Sequence, residues 1–165
     1  MENRRSIVSL FVATLATLLS GRWSGDAQAA KDESFEITRT PAEWKKLLTP
    51  AQYYVLREHG TERPGTSPLN AEKRKGIYSC AGCDLPLFSS ETKYESGTGW
   101  PSFYDVLPHA VGTQTDRSLF MTRTEVHCRR CGGHLGHVFS DGPKPTGLRY
   151  CMNGVALTFT PDKAA

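Results

Sequence analysis

The sequence has no apolar stretch long enough to cross a bilayer as a helix. Its longest, Ile7 to Leu19, has 13 residues, against roughly 20 for a hydrocarbon core. Clusters of one charge are also missing. The 20 lysines and arginines and 17 aspartates and glutamates leave a formal net charge of +3. The basic residues are scattered, so the footprint of a nucleic-acid binder is absent and no nucleic-acid partner is expected. No internal repeat or low-complexity tract is visible. What is there, 165 residues, suits one globular domain.

The first residues differ from the rest. Arg4 and Arg5 precede the apolar stretch, and the small-residue site Ala27-Gln28-Ala29 follows it, the layout of a signal peptide. Cleavage after Ala29 is the expectation, with a permanent anchor as the alternative. Export, to the periplasm, is expected, with no stable membrane insertion after cleavage. Arg4-Arg5-Ser6-Ile7-Val8 resembles a twin-arginine signal, but two arginines also make an ordinary Sec n-region, so the route stays open. Residues 30–40 read as a linker, 41–161 as the domain and 162–165 as a tail.

Thr40-Pro41-Ala42-Glu43 and Thr49-Pro50-Ala51-Gln52 each put a threonine N-cap before a helix-opening proline, with Glu or Gln to return the hydrogen bond. Two short helices follow. Trp44, Leu47 and Leu48 form one predicted apolar face, Tyr53, Tyr54 and Leu56 another, and Gly60 a stop. Pro64, Gly65 and Pro68 then break the chain into a loop. Beyond it, short runs at Ile77-Tyr78, Leu85 to Phe88, Leu119 to Met121, Val138-Phe139 and Val155 to Phe159 alternate with turn residues. The predicted class is mainly β: two small antiparallel sheets, short N-terminal helices and a structural zinc site.

Five cysteines divide unevenly. Cys80-Ala81-Gly82-Cys83 and Cys128-Arg129-Arg130-Cys131 are two C-x2-C knuckles whose four thiolates can close a tetrahedral shell around one Zn2+, which would be structural because no position stays open. Disulfides or a thioredoxin-like pair are the alternatives, although redox motifs of that type come singly and beside a βαβ pattern. A closed shell has no place for His127, which reads as a surface residue or one lying behind the ligands.

Cys151 is then left over, in Arg149-Tyr150-Cys151-Met152-Asn153. A lone cysteine is commonly a buried structural residue, but Arg149 can favour its thiolate, and Gly133-His134-Leu135-Gly136-His137 supplies two imidazoles. One thiol with histidines is the constellation of nucleophilic thiol chemistry. Metal binding by His134 and His137 is the alternative.

The chain resembles the B-type methionine sulfoxide reductases, specific for the R epimer. The matching stretches are Cys80 to Cys83, Ser96-Gly97-Thr98-Gly99-Trp100-Pro101-Ser102-Phe103, His127 to Asp141, Gly142-Pro143, Pro145-Thr146-Gly147 and Arg149 to Asn153. The resemblance implies that Cys151 attacks the sulfoxide sulfur and becomes a sulfenic acid. His134, His137 and Asn153 would bind and protonate the sulfoxide oxygen, Arg149 would support the thiolate, and Trp100 would wall the substrate methyl group. Trp100 on its sequence position alone reads more readily as core. Implied partners are oxidised proteins or peptides and an external thiol reductant, thioredoxin-like or other. Many relatives carry a resolving cysteine where this chain has Thr98, so no intramolecular disulfide is expected.

Overall fold

The computed structural model describes residues 34–118 and 121–163. The expected leader, the first part of the expected linker and the last two residues of the tail lie outside the described residues.

Helix α1, Pro41–Leu47, and helix α2, Pro50–Glu58, begin where the threonine-proline pairs predict. Thr40 Oγ1 accepts the Glu43 N–H at 3.3 Å, and the Glu43 carboxylate accepts the Thr40 N–H at 2.8 Å. Thr49 and Gln52 repeat the exchange at 3.3 and 3.0 Å. Each such cap stabilises a helix by about 1 kcal/mol. The predicted faces are only partly right. Trp44 and Leu48, four apart, are buried with Val55 and Leu56, while Leu47 and Tyr54 are exposed; a short helix against a sheet buries one stripe and leaves the next position wet. Helix α2 stops at His59, whose φ of 55° is left-handed, one residue before the predicted Gly60 stop.

The strands are β1 Gly76–Cys80, β2 Pro86–Ser89, β3 Lys93–Tyr94, β4 Ser102–Phe103, β5 Val111–Asp116, β6 Arg123–Cys128, β7 His134–Phe139, β8 Arg149–Met152 and β9 Leu157–Pro161. They form a three-stranded sheet, β2-β1-β9, and a six-stranded one, β3-β4-β8-β7-β6-β5, with antiparallel pairing throughout. The second sheet is larger than expected because β5 is polar along its length and gives no apolar alternation to read. Of the strand expected at Leu119 to Met121 only Met121 is described, an exposed residue outside any strand in the β5–β6 connection; residues 119 and 120 lie outside the described residues.

Aromatic side chains join the two sheets. Phe103 of the large sheet stacks on Phe88 at 4.3 Å between ring centroids and meets Tyr78 edge-on at 5.0 Å, both from the small sheet. Such pairs contribute about 0.5–1.5 kcal/mol each beyond the area they bury. This core fixes β4, and through it β8, which carries Cys151.

Candidate active site and metal centre

The knuckles meet. Cys80 closes β1, Cys128 closes β6, and Cys83 and Cys131 follow in the tight turns. Cys80 Sγ lies 3.7 Å from Cys131 Sγ and Cys83 Sγ 3.5 Å from Cys128 Sγ, and the four sulfurs all lie within 4.8 Å of one another. A disulfide needs about 2.0 Å, so the sulfurs are not paired. A tetrahedral zinc with bonds of about 2.3 Å separates its sulfurs by about 3.8 Å, which these distances match. Hydrogen bonding among the sulfurs drives the Cys80 thiol far up and the Cys128 thiol far down; four sulfurs this close can all ionise only with a cation to share their charge. The donor set and its spacing therefore fit zinc.

Leu56 of α2 covers the cluster, and Gly133 permits its approach: a Cβ there would stand 2.9 Å from the leucine. Arg57 donates to the Cys131 carbonyl at 2.9 Å. Of its two expected placements, His127 does not take the surface one. It is 4% exposed, lies edge-on to Phe35 at 5.6 Å, and fits because Gly112 has no side chain. The knuckle Cys128 to Cys131 is also the turn joining β6 to β7, so the cluster clamps the hairpin that carries the histidines.

Cys151 belongs to a row of register partners that crosses the large sheet: Tyr94 opposite Ser102, Ser102 opposite Cys151, Cys151 opposite His137, His137 opposite Glu125, and Glu125 opposite Gln114. Directly opposed residues share a face, so these six side chains stand on one side. His134 joins them for a further reason. Three residues apart on a regular strand would put His134 and His137 on opposite faces. The pairing shifts between Val126 and His127, so that β7 spends one extra residue there, a bulge that reverses the alternation. The two rings come to 5.4 Å between centroids. Gly136 lets β7 approach β8, since a Cβ there would meet the Cys151 carbonyl oxygen at 2.2 Å.

Thr61, Trp100, Arg123, Gly136, His137, Phe139, Cys151 and Asn153 line a cavity of about 120 Å³ beside the thiol. That is room for the end of one side chain, well below the 300 Å³ or more of typical small-molecule pockets. Trp100 is half-buried at its wall and donates Nε1–H to the Glu62 carbonyl at 3.2 Å. Thr98 Oγ1 stands 3.7 Å from Cys151 Sγ and 2.8 Å from Ser96 Oγ, which bonds Ser102 Oγ at 2.7 Å.

The sequence-predicted residues behave differently from one another. His137 lines the cavity, its Nε2 bonded to Asp116 Oδ2 at 2.8 Å. Burial pushes its imidazole down and Asp116 pushes back. His134 is buried behind it, Nδ1 bonded to Glu125 Oε1 at 2.6 Å. Asn153 is largely committed: its Oδ1 accepts the Glu62 N–H at 2.9 Å and its Nδ2 donates to the Leu135 carbonyl at 3.1 Å, leaving one amide hydrogen. Arg149 makes a two-pronged pair with Asp141, both contacts 2.9 Å, and lies 4.4 Å over the Phe139 ring. Sequence reasoning missed Asp116, Glu125, His59, Arg123 and Glu62. Only their cross-strand and cross-loop neighbours mark them, and no local spacing does.

Fold and site together define a thiol enzyme with one unligated, half-exposed cysteine and a separate thiolate cluster that holds the scaffold. Residues 48–161 match the SelR domain. A peptide methionine sulfoxide reductase MsrB of Methanosarcina mazei is 58% identical over 129 residues, covering 78% of this chain and 92% of that protein. The MsrB of Agrobacterium fabrum is 54% identical over 127 residues, 76% and 94%. The chloroplastic peptide methionine sulfoxide reductase B1 of Arabidopsis thaliana is 48% identical over 151, 91% and 74%. The chain belongs to this family, the B-type methionine sulfoxide reductases.

Proposed function

We propose that the protein reduces the R epimer of methionine sulfoxide, in oxidised proteins or peptides or as the free amino acid, by direct attack of the Cys151 thiolate on the sulfoxide sulfur. The observation that carries this reading is the register that puts Cys151 opposite His137 on one side and Ser102 on the other, beside a cavity walled by Trp100. A sulfoxide oxygen leaves poorly until protonated, so an acid must stand near the nucleophile. His137 takes the thiol proton and hands it to the sulfoxide oxygen, and Asp116 stabilises the imidazolium between the two events. His134 and the remaining amide hydrogen of Asn153 support the oxygen, directly or through water, while Arg149, tethered by Asp141, favours the thiolate. The indole of Trp100 receives the S-methyl group, a sulfur–aromatic contact favourable by roughly 0.3–1.5 kcal/mol.

As the Cys151–sulfur bond forms, the S–O bond breaks and the protonated oxygen leaves as water; water then attacks Cys151 Sγ, the S–S bond breaks, methionine departs and Cys151 carries the oxygen as a sulfenic acid. An external thiol, thioredoxin-like or other, attacks the sulfenic sulfur and releases water; a second thiol frees Cys151 and leaves with the first as a disulfide. The other four cysteines are gathered in the cluster and a threonine hydroxyl stands beside Cys151, which supports recycling without an internal disulfide. One structural zinc, held by Cys80, Cys83, Cys128 and Cys131, supplies folding energy and takes no part in the reaction. We also propose that the 41–161 domain acts after export to the periplasm, by the Sec or twin-arginine route, with residues 1–29 removed.

Separated S and R sulfoxides test the assignment. Turnover of R alone, lost in Cys151→Ser, is the expected result; turnover of S alone, or an unaffected variant, overturns it. Mass spectrometry after sulfoxide without reductant should find one added oxygen on Cys151.

A further inference from the structure

Glu125 is a buried carboxylate on the site's face of the sheet, and three groups from three elements converge on it. Its Oε1 accepts His134 Nδ1–H at 2.6 Å and His59 Nδ1–H at 3.0 Å, and its Oε2 accepts the Gln114 amide at 2.7 Å. Glu125 and His134 are more than nine-tenths buried, while the His59 side chain is 59% exposed. The two imidazoles also touch, at 5.3 Å between centroids. An ionised carboxylate only accepts hydrogen bonds, so both rings must carry hydrogen on Nδ1. That leaves Nε2 as the one atom of His134 free to exchange a proton, and this atom is buried without a hydrogen-bond partner among the described residues.

We infer that Glu125 and His59 are positioning residues for the reduction: Glu125 fixes the Nδ1–H tautomer of His134 and aims its Nε2, and His59 is the solvent-facing arm through which pH reaches that arrangement. The inference rests on the reading of His134 as a support of the sulfoxide oxygen, through a proton carried on its Nε2. An imidazole oriented by a carboxylate is a recurring device of acid–base catalysis, and loss of the carboxylate acts through the wrong tautomer. Here the same oxygen serves a second ring. Its hydrogen bond to Glu125 raises the His59 imidazole above its ordinary range, against the opposing effect of burial. While His59 is cationic it shares the Glu125 charge with His134. Once it loses its proton, His134 has more of that charge to itself. The other charged and titratable groups facing the pair are Arg57 on α2, Asp116 on β5, Arg123 on β6 and His137 on β7. Among them only His137 changes charge near neutrality.

Two variants of the zinc-loaded protein test the inference, with bound zinc and circular dichroism confirming the fold. In Glu125→Gln, nitrogen-15 spectra of the imidazoles at pH 8 should show His134 no longer confined to the Nδ1–H form, and kcat should fall by about tenfold or more with KM nearly constant. In His59→Asn, which keeps an N–H donor and tolerates the left-handed backbone, the alkaline limb of the kcat profile should move up by about half a pH unit, because a positive charge has left the neighbourhood of a proton donor. A His134 that keeps its tautomer in Glu125→Gln, or a pH limb that does not move in His59→Asn, overturns the inference. The spectra are read without turnover, so they stand even where the Cys151 reading fails; Cys151→Ser tests that reading separately.

Discussion

The knuckles gather four sulfurs through two tight turns, each bringing in a pair of ligands three positions apart, whereas the Cys151 row draws one side chain from each of six strands. The first arrangement is encoded locally, and its geometry survives small slips elsewhere. The second exists only while every strand keeps its register. The two meet at Cys128–Cys131, where the metal turn is also the β6–β7 connection, so one region sets the other.

The sharpest break removes the thiol. Cys151→Ser should lower R-sulfoxide turnover by about a thousandfold or more while zinc, measured by elemental analysis, stays at one per chain. His137→Gln should cost about a hundredfold in kcat, the scale of a lost general acid, with KM little changed in steady-state assays. Attacking the other region should reverse the pattern. Cys128→Ser should abolish zinc binding and lower the thermal midpoint by on the order of 10 °C, and its residual activity should decline with loss of fold rather than with loss of the thiol. Thr98→Cys sharpens the comparison from the opposite side by placing a second thiol where a hydroxyl now stands 3.7 Å from Cys151 Sγ. A disulfide between the introduced thiol and Cys151 should accumulate during turnover and be seen by peptide mapping, with kcat changed only a few-fold.

The smallest expected effect concerns pH and stability. Burial alone would raise the Glu125 carboxyl, but hydrogen bonds from His134, His59 and Gln114 outweigh it and hold the group well below the usual carboxylate range. A depressed pKa contributes stability above the unfolded value, about 4.3, and the contribution is lost as pH falls towards the folded value. His59, raised by Glu125, works the other way: its contribution is complete below about 6.5 and fades as pH rises through the folded value. The pair therefore stabilises most between about pH 4.5 and 6.5. Thermal midpoints measured across that range should show a maximum that flattens in Glu125→Gln.

Much of this is legible without coordinates because its signals are short-range. The capping boxes at Thr40 and Thr49, the paired knuckles and the unassigned Cys151 each reside in a few consecutive residues, and each box depends only on its own helix. The acidic partners do not show. Asp116 and Glu125 sit in polar strands and acquire roles only from what lies across the ladder. The spacing of His134 and His137 would put them on opposite faces of a regular strand, whereas a bulge in β7 brings the two rings to one face. Tyr54 and Leu47 stand outside the core because apolar character alone does not say which stripe of a two-turn helix meets the sheet.

The bulge at the start of β7 has a consequence for the length of the connection before it. One residue inserted between Cys131 and His134, if taken up by the strand, would slide Gly136 into the place opposite Cys151 and turn His137 away. All four sulfurs could still load their ion. Such a protein would be metal-replete and folded yet silent, and the spacing of that short segment, more than any single side chain in it, decides whether the thiol has a partner.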